Sequence, residues 1–198
     1  MNILKRPGWW VASVTIFILL VITALIEMYM GRIWFCSCGD ILPWYGYTNG
    51  SGNSQHLSDW YSFSHIIHGF IFYAVLWLVL RKLPVQTRLI IAVIIEIAWE
   101  IFENTNFTIN RYRTATIALD YVGDSIINSL FDILFCILGF ILAWRLPVWI
   151  SITFILVAEL VVGYLIHDNL TLNVLMLIYP IAGIKAWQAG PSPIPLAP

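Results

Sequence analysis

The chain of 198 residues is dominated by apolar side chains: 60% of its residues are hydrophobic, 11% are charged, and its mean hydropathy is +0.84. A water-soluble domain is excluded, because about a quarter of its residues would be charged. The net charge of -1 and the lack of a basic run also exclude a nucleic-acid-binding surface. We therefore predict an all-α protein, a polytopic bundle of transmembrane helices that forms one integral membrane domain over residues 1–198.

Six stretches are predicted to cross the hydrocarbon layer, which a helix of about 20 residues spans. They cover residues 9–30, 62–80, 89–103, 120–144, 148–166 and 170–184. The third is the least hydrophobic because its last turn carries Glu100 and Glu103, but the alternation of the loops requires it. Residues 190–198 are rich in proline and are predicted to form a short flexible tail.

Basic residues predict the orientation of the bundle, because short loops with Lys and Arg are retained in the cytoplasm. With the N-terminus inside, the predicted cytoplasmic residues are Lys5, Arg6, Arg81, Lys82, Arg88, Arg145 and Lys185. Arg32, Arg111 and Arg113 would lie outside. Both termini are therefore expected in the cytoplasm. All 11 acidic residues then fall in the outward half of the membrane or in outer loops.

Ionisable residues concentrate in the second, third and fourth predicted helices, where they cost several kcal/mol unless they are paired, hydrated or metal-bound. At about 100° per residue, Glu96, Glu100 and Glu103 share one face of the third helix. Asp124, Asn128 and Asp132 form a similar stripe on the fourth helix, and two histidines lie at the outer end of the second. These faces indicate an outward-facing pocket. Its predicted supporting residues are Glu96, Asn104, Asp120, Asn128 and Asp132.

Histidine and carboxylate side chains on facing helices are ligands that Zn, Mn or Fe would accept. The predicted ligands are His65, His68, Glu100, Glu103 and Asp124, of which His68, Glu100 and Asp124 are also the predicted catalytic residues. A divalent metal would neutralise the crowded carboxylates and could activate water. Two other interpretations stay open: a purely structural network between helices, and a pocket that binds a substrate or proton without metal.

Two arginines lie in residues 110–116, which are predicted to form an outer loop between the carboxylate helices. Arg111 and Arg113 would form a fork suited to an anionic headgroup or phosphate. The alternative is that they neutralise Glu103 or Asp120. Both roles could also hold in turn, if an arriving anion releases the carboxylates.

Cys36 and Cys38 lie at the outer end of the first helix, where an oxidising compartment would permit a disulfide. A soft-metal site assisted by His56 is the alternative. Cys136 stands alone in the fourth helix and is predicted to be a packing residue.

Four motifs carry a resemblance to a known family: NSQHLSDWYSFSHIIHGF at 53–70, NRYRTATIALDYVGDSIINS at 110–129, RLPVW at 145–149 and HDNLTLN at 167–173. They resemble an uncharacterised family of alphaproteobacterial inner-membrane proteins, over essentially the whole chain. The resemblance implies a multi-pass protein of the bacterial inner membrane. It implies no activity.

The order of polar residues is also similar to that of the VanZ-like membrane proteins associated with teicoplanin resistance. That order is a His, a Glu on the next helix, an Arg, and then Asp-x-x-x-Asn; here it is met by His65 or His68, Glu100, Arg111 or Arg113, and Asp124 with Asn128. The chain departs from the pattern by its additional Glu103, Asn104 and Asp132 and by its outer-loop cysteines. The resemblance points to envelope lipids or lipid-linked wall precursors.

Two functions from different classes are therefore predicted. The first is an outward-facing membrane enzyme that acts on a lipid headgroup or a polyprenyl-linked phosphate, with or without a divalent metal. The second is a non-enzymatic accessory or assembly subunit, or a small transporter, whose polar core is structural or holds an ion. The lipid bilayer, an anionic lipid and a membrane protein partner are the expected partners, and nucleic acid is not.

Overall fold

A computed structural model describes residues 8–48 and 50–194. Within those ranges the chain forms helices and no strand, so the predicted all-α class is confirmed. The helices are α1 (Trp9–Tyr29), α2 (Ser62–Val79), α3 (Val85–Glu103), α4 (Asn106–Ala115), α5 (Ile126–Arg145), α6 (Val148–Ile166), α7 (Leu170–Ile178) and α8 (Ala182–Gln188). The last four residues of the predicted tail lie outside the described part of the chain.

Four of the described helices, α1, α2, α5 and α6, are long and apolar enough to cross a membrane. Helix α3 has a similar length of 19 residues, but its charged residues set it apart. It packs against α1, α2 and α5, which bury Arg88, Glu96 and Glu100 inside the bundle. Neighbouring helices thus cover the polar face of α3, which is how a polar helix is accommodated among spanning helices.

The sixth predicted span, residues 170–184, is divided into α7 and α8, and neither is long enough to cross a membrane. Pro180 lies between the two helices; proline lacks a backbone N–H and disfavours a helical conformation in the residue before it. The side chain of Glu159 in α6 accepts hydrogen bonds from the backbone N–H groups of Leu170 and Thr171, and these bonds hold the start of α7 against α6.

The two described ends of the chain lie at opposite ends of the bundle. Trp9 packs on Trp144, where α1 begins and α5 ends. The N–H of Ile194 donates to the carbonyl of Leu165, where α6 ends. The predicted placement of both termini in the cytoplasm stays a prediction.

Residues 110–116 were predicted as a loop, but most of them belong to α4. The hydroxyl of Thr105 accepts from the N–H of Thr108 and caps the start of this helix. The fourth predicted span begins at Ile126 instead of residue 120, because Ser125 caps α5 and Gly123 adopts a φ of +90°. Asp120 and Asp124 therefore lie on the segment before α5, and only Asn128 and Asp132 share its helical face.

Helices α2 and α5 form the closest helix pair of the bundle, and glycines make their approach possible. A Cβ at Gly69 would collide with the carbonyl oxygen of Cys136, and a Cβ at Gly139 would collide with that of Ile66. Small residues at such crossings let backbones come together, as in many membrane helix pairs. This contact sets the depth of the histidines on α2 relative to Asp132 on α5.

Residues 30–48 and 50–61 fold over the end of the bundle that also carries α4, α7 and α8, which we call the loop-rich end. The side chain of Gln55 donates to the carbonyl of Gly123, and the N–H groups of Ser125 and Ile126 donate to the carbonyls of Ser54 and Ile33. Cys36 and Cys38 form a disulfide in this segment. The loop-rich end is therefore a tightly connected structure.

Candidate functional site

A cavity of about 60 Å³ lies in the loop-rich end. One water needs roughly 10–15 Å³ of such space, so the cavity has room for a few waters or one small polar group. Its polar walls come from five parts of the chain and include Tyr61, His65, His68, Glu103, Tyr112, Tyr121, Asp124, Asp132, Asp168 and Asn173.

Two histidines of α2 share one carboxylate of α3 beneath this cavity. The Nδ1 of His65 lies 2.7 Å from Oε1 of Glu96, and the Nδ1 of His68 lies 3.1 Å from both oxygens of that carboxylate. Because an ionised carboxylate only accepts hydrogen bonds, each Nδ1 is assigned the proton. The Nε2 atoms of both rings are then left with free lone pairs, which is the arrangement by which carboxylates orient metal-binding histidines.

His65 also meets two further carboxylates. Its Nδ1 lies 3.2 Å from Oε1 of Glu100, and its Nε2 lies 3.7 Å from Oδ2 of Asp132. Glu100 is fully buried, and neither of its oxygens has a hydrogen-bond partner. A buried carboxylate in that state carries a large desolvation cost unless it is neutralised by a proton or a cation.

These five side chains, His65, His68, Glu96, Glu100 and Asp132, form what we call the histidine–carboxylate cluster. Within it, two groups of three could hold a metal ion, with ligand atoms all within 4.8 Å of one another. One group joins both histidines to Glu96, and the other joins His65 to Glu100 and Asp132. The cluster therefore has the ligand types and the proximity that a divalent cation requires.

Three tyrosines donate hydrogen bonds to carboxylates that line the cavity outside the cluster. The hydroxyl of Tyr112 donates to Glu103 at 2.6 Å, and that of Tyr121 donates to Asp124 at 2.9 Å. The hydroxyl of Tyr61 donates to an oxygen of a third carboxylate, Asp168, at 3.3 Å. The sequence alone does not single out these tyrosines, since tyrosine near a membrane interface is common and by itself indicates only an aromatic belt.

Burial changes the proton affinity of the acids on the connecting segments. It raises the pKa of Asp124 to about 7, with a further increase from the negative charge of Glu103. Burial likewise raises the pKa of Asp168 to about 6. Burial also raises the pKa of the Tyr61 and Tyr121 hydroxyls, which stay protonated and can donate. The rim of the cavity can therefore hold protons at neutral pH.

Lysine and arginine side chains do not neutralise the carboxylates of the cavity. All four close contacts between a basic side chain and a carboxylate among the described residues involve His65 or His68, and none involves Lys or Arg. The Nε of Arg111 donates to the carbonyl of Leu177, and the Nε of Arg113 donates to the carbonyl of Tyr121. The predicted fork is therefore not formed, because the two arginines bind separate carbonyl groups, and neither arginine pairs with Glu103 or Asp120.

The structure brings some predicted site residues together and separates others. Glu103 and Asp124, predicted as metal ligands, line the cavity but belong to neither ligand group. Asn104 instead supports Asp124, since its side chain donates to that carboxylate and accepts from the backbone N–H of the same residue. Asn128 donates to the carbonyl of His56, and Asp120 is exposed.

A third group, Cys36, Cys38 and His56, also has its sulfur and nitrogen atoms within 4.8 Å of one another. Both sulfurs are joined in the disulfide, which is one of the alternatives that the sequence leaves open. Cys136 is a free thiol buried between helices, as a packing residue would be.

The fold and the site together define a class: a helical protein with four helices able to span a membrane and with a buried group of histidines and carboxylates at one end. More specifically, the chain belongs to the family described as "Protein of unknown function (DUF2585)", whose model matches residues 27–190. That match includes every residue of the histidine–carboxylate cluster.

Sequence similarity to known relatives extends over most of the chain. The chain is 54% identical to a UPF0314 protein of Sinorhizobium fredii over 94% of both chains. It is 56% identical to a UPF0314 protein of Rhizobium meliloti, over 86% of this chain and 87% of the relative. A UPF0314 protein of Paracoccus denitrificans is 50% identical, over 87% of this chain and 90% of its own. The predicted membership of an uncharacterised alphaproteobacterial family is confirmed, and no solved structure matches the chain.

Proposed function

We propose that the protein is a membrane enzyme of the bacterial inner membrane that binds a divalent metal in the histidine–carboxylate cluster and acts on a lipid headgroup or a lipid-linked phosphate. The observation that supports this proposal most directly is Glu100, a fully buried carboxylate without a hydrogen-bond partner beside His65 and Asp132. A cation bound by these three side chains would remove the desolvation cost.

The proposed ligands are the Nε2 of His65 and one oxygen each of Glu100 and Asp132. Ligand bonds to Zn are about 2.0–2.2 Å long, so small side-chain movements would close a group whose atoms now lie within 4.8 Å. Glu96 would orient both rings through their Nδ1 protons, which accords with its predicted supporting role. His68 would supply a fourth ligand or a catalytic base from the same layer.

The bound ion would act as a Lewis acid and lower the pKa of water. The chain's own residues would hold and move protons around it. Asp124, with a pKa of about 7, is suited to give a proton to a leaving group and take it back. Arg111 and Arg113 flank the cavity residue Tyr112 in α4, and we retain them as the proposed headgroup-binding pair, which would exchange carbonyl partners for phosphate oxygens.

Metal content tests the proposal. The full-length protein, purified in detergent and loaded with Zn or Mn, should retain close to one equivalent per chain after desalting. Glu100→Gln and His65→Gln should lower the metal affinity by at least roughly tenfold. Asp120→Asn is the matched control, because it removes an exposed carboxylate at the same end of the molecule. The absence of stoichiometric metal under every loading condition, or full retention in Glu100→Gln, would contradict the metal site.

One observation supports the second candidate, a non-enzymatic accessory or assembly subunit with a structural ion. The cavity of about 60 Å³ is small for a whole lipid headgroup. A transporter is less well supported, because Leu76, Ala92, Val93 and Phe140 form an apolar layer below the cluster, with buried Arg88 near the start of α3. Hydrolysis assays on lipid phosphates separate the two candidates. Turnover that requires Asp124 would support the enzyme. Metal binding without turnover, together with a stoichiometric co-purifying subunit, would support the accessory role.

A further inference from the structure

An apolar groove of about 480 Å³ runs between the start of α2 and the length of α6. Trp60 and Phe63 form one wall, and side chains of α6 from Trp149 to Val162 form the other. The surface of the groove is almost entirely apolar, and Ala158 and Val162 are its buried lining residues. It lies on a helix that is able to span a membrane, so its surroundings are acyl chains if the protein is inserted.

The groove adjoins the polar cavity along both of its walls. Trp60 lines the groove, whereas its neighbour Tyr61 lines the cavity. Likewise, Phe63 lines the groove and Ser64 lines the cavity. On α6, Val162 of the groove lies about one helical turn from Ile166 of the cavity. A molecule with an apolar chain and a polar head could therefore occupy both at once.

We propose that the groove holds one acyl chain of a membrane phospholipid whose headgroup reaches the cavity beside Tyr61 and Asp168. This inference rests on the proposed function and names its substrate class. The groove follows α6 from residue 149 to residue 162, a length of about 20 Å at 1.5 Å per residue. One leaflet of the hydrocarbon layer is about 15 Å thick, so one acyl chain fits this length.

The size of the groove argues against a helix of a partner protein as the occupant. A helix with side chains is about 10 Å in diameter, so a 20 Å segment would occupy on the order of 1,500 Å³. The groove offers about 480 Å³. A single flexible chain can use that space, whereas a helix would leave most of its surface outside.

Photo-crosslinking tests the occupant. The full chain would be reconstituted in phosphatidylglycerol–phosphatidylcholine vesicles in which a fraction of the phosphatidylglycerol carries a diazirine on one acyl chain, and labelled residues would be mapped by mass spectrometry. We expect labelling on Val157 and Phe154, which line the groove, to exceed labelling on Leu160 by several-fold. Leu160 lies on the same helix and is strongly exposed outside the groove.

Ala158→Phe enlarges a buried lining residue of the groove and should abolish this preference, while the matched variant Leu160→Phe should leave it unchanged. Equal labelling of Phe154, Val157 and Leu160 in the unmodified protein would show only bulk lipid around the bundle and would overturn the inference. A co-purifying protein that shields the groove from the probe would overturn it too. The wild-type pattern alone decides the question if Ala158→Phe does not fold.

The outcomes for the groove and for the metal site can be told apart by measuring metal content on the same samples. Selective labelling without bound metal would support the groove and contradict the proposed metal function. Uniform labelling with one metal per chain would contradict the groove alone.

Discussion

Replacing Asp124 by asparagine should make the protein more stable at alkaline pH. The carboxylate is buried beside Glu103, and it contacts only two side-chain donors, the amide of Asn104 and the hydroxyl of Tyr121. Asparagine has the shape of the protonated acid, can accept from Asn104 and can donate to the tyrosine oxygen. Asp124→Asn therefore retains the contacts of the neutral form and removes the buried charge.

The pKa of Asp124 sets the size of the effect. Folding raises it from 3.8 to about 7, so the folded state holds the proton more tightly than the unfolded chain. The stability from this group is fully present below about pH 4 and is lost as the pH rises through about 7. A difference of about three in pKa corresponds to roughly 4 kcal/mol, or about 8–16 °C in the thermal midpoint of a chain of this size.

Thermal unfolding of the chelated protein in detergent, followed by tryptophan fluorescence between about pH 4.5 and pH 8.5, measures this difference. Asp124→Asn should match the wild type at the acidic end and exceed its midpoint by several degrees at the alkaline end. Asp120→Asn, which alters an exposed acid in the same segment, should follow the wild-type curve. An Asp124→Asn curve parallel to that of the wild type, or a lower midpoint at alkaline pH, would refute the reasoning.

Two further predictions concern packing and hydrogen bonding. Gly139→Ala should lower the thermal midpoint by at least roughly 5 °C, because the added methyl group meets the Ile66 carbonyl where α2 and α5 touch. Gly183 has open space around it, so Gly183→Ala is the control and should change the midpoint little. Equal effects of the two substitutions would contradict this account. Tyr112→Phe should cost roughly 1–3 kcal/mol in the free energy of unfolding, because half-buried Glu103 loses its hydroxyl donor, and the exposed Tyr164→Phe is the control. Equal denaturation curves for the two tyrosine variants would show that the hydroxyl of Tyr112 is not needed.

The spanning helices could be predicted because each is a continuous apolar run. The predicted bounds of α1, α2 and α6 lie within one residue of the observed ones at both ends. Helix α4 was missed because it is polar and has no apolar run to reveal it. The predicted start of α5 is too early, since Tyr121 and Val122 lead into the apolar run, whereas the positive φ of Gly123 and the Ser125 cap place the start at Ile126.

The candidate site was predicted in part, by residue type and helical face. The period of an α-helix places Glu96 and Glu100 on one side of α3, and it places His65 with His68 on one side of α2, whatever surrounds them. It cannot say which carboxylate meets which ring. That depends on the relative depth of the helices, which changes by about 1.5 Å for each residue of shift. As a result, Asp132 took the place beside His65 that had been assigned to Asp124.

The sequence by itself determined that this is a helical chain with segments able to span a membrane and that its acids and histidines gather toward one end, because hydrophobicity and helical periodicity are local properties. Only the tertiary structure decided that Glu100 is left without a hydrogen bond among the described residues, that tyrosines donate to the carboxylates of the cavity, and that Arg111 and Arg113 turn to separate carbonyls. These contacts depend on the close α2–α5 crossing at Gly69 and Gly139 and on the folding of residues 30–48 and 50–61 over the bundle. Such long-range distances follow from packing between segments that are far apart in the chain.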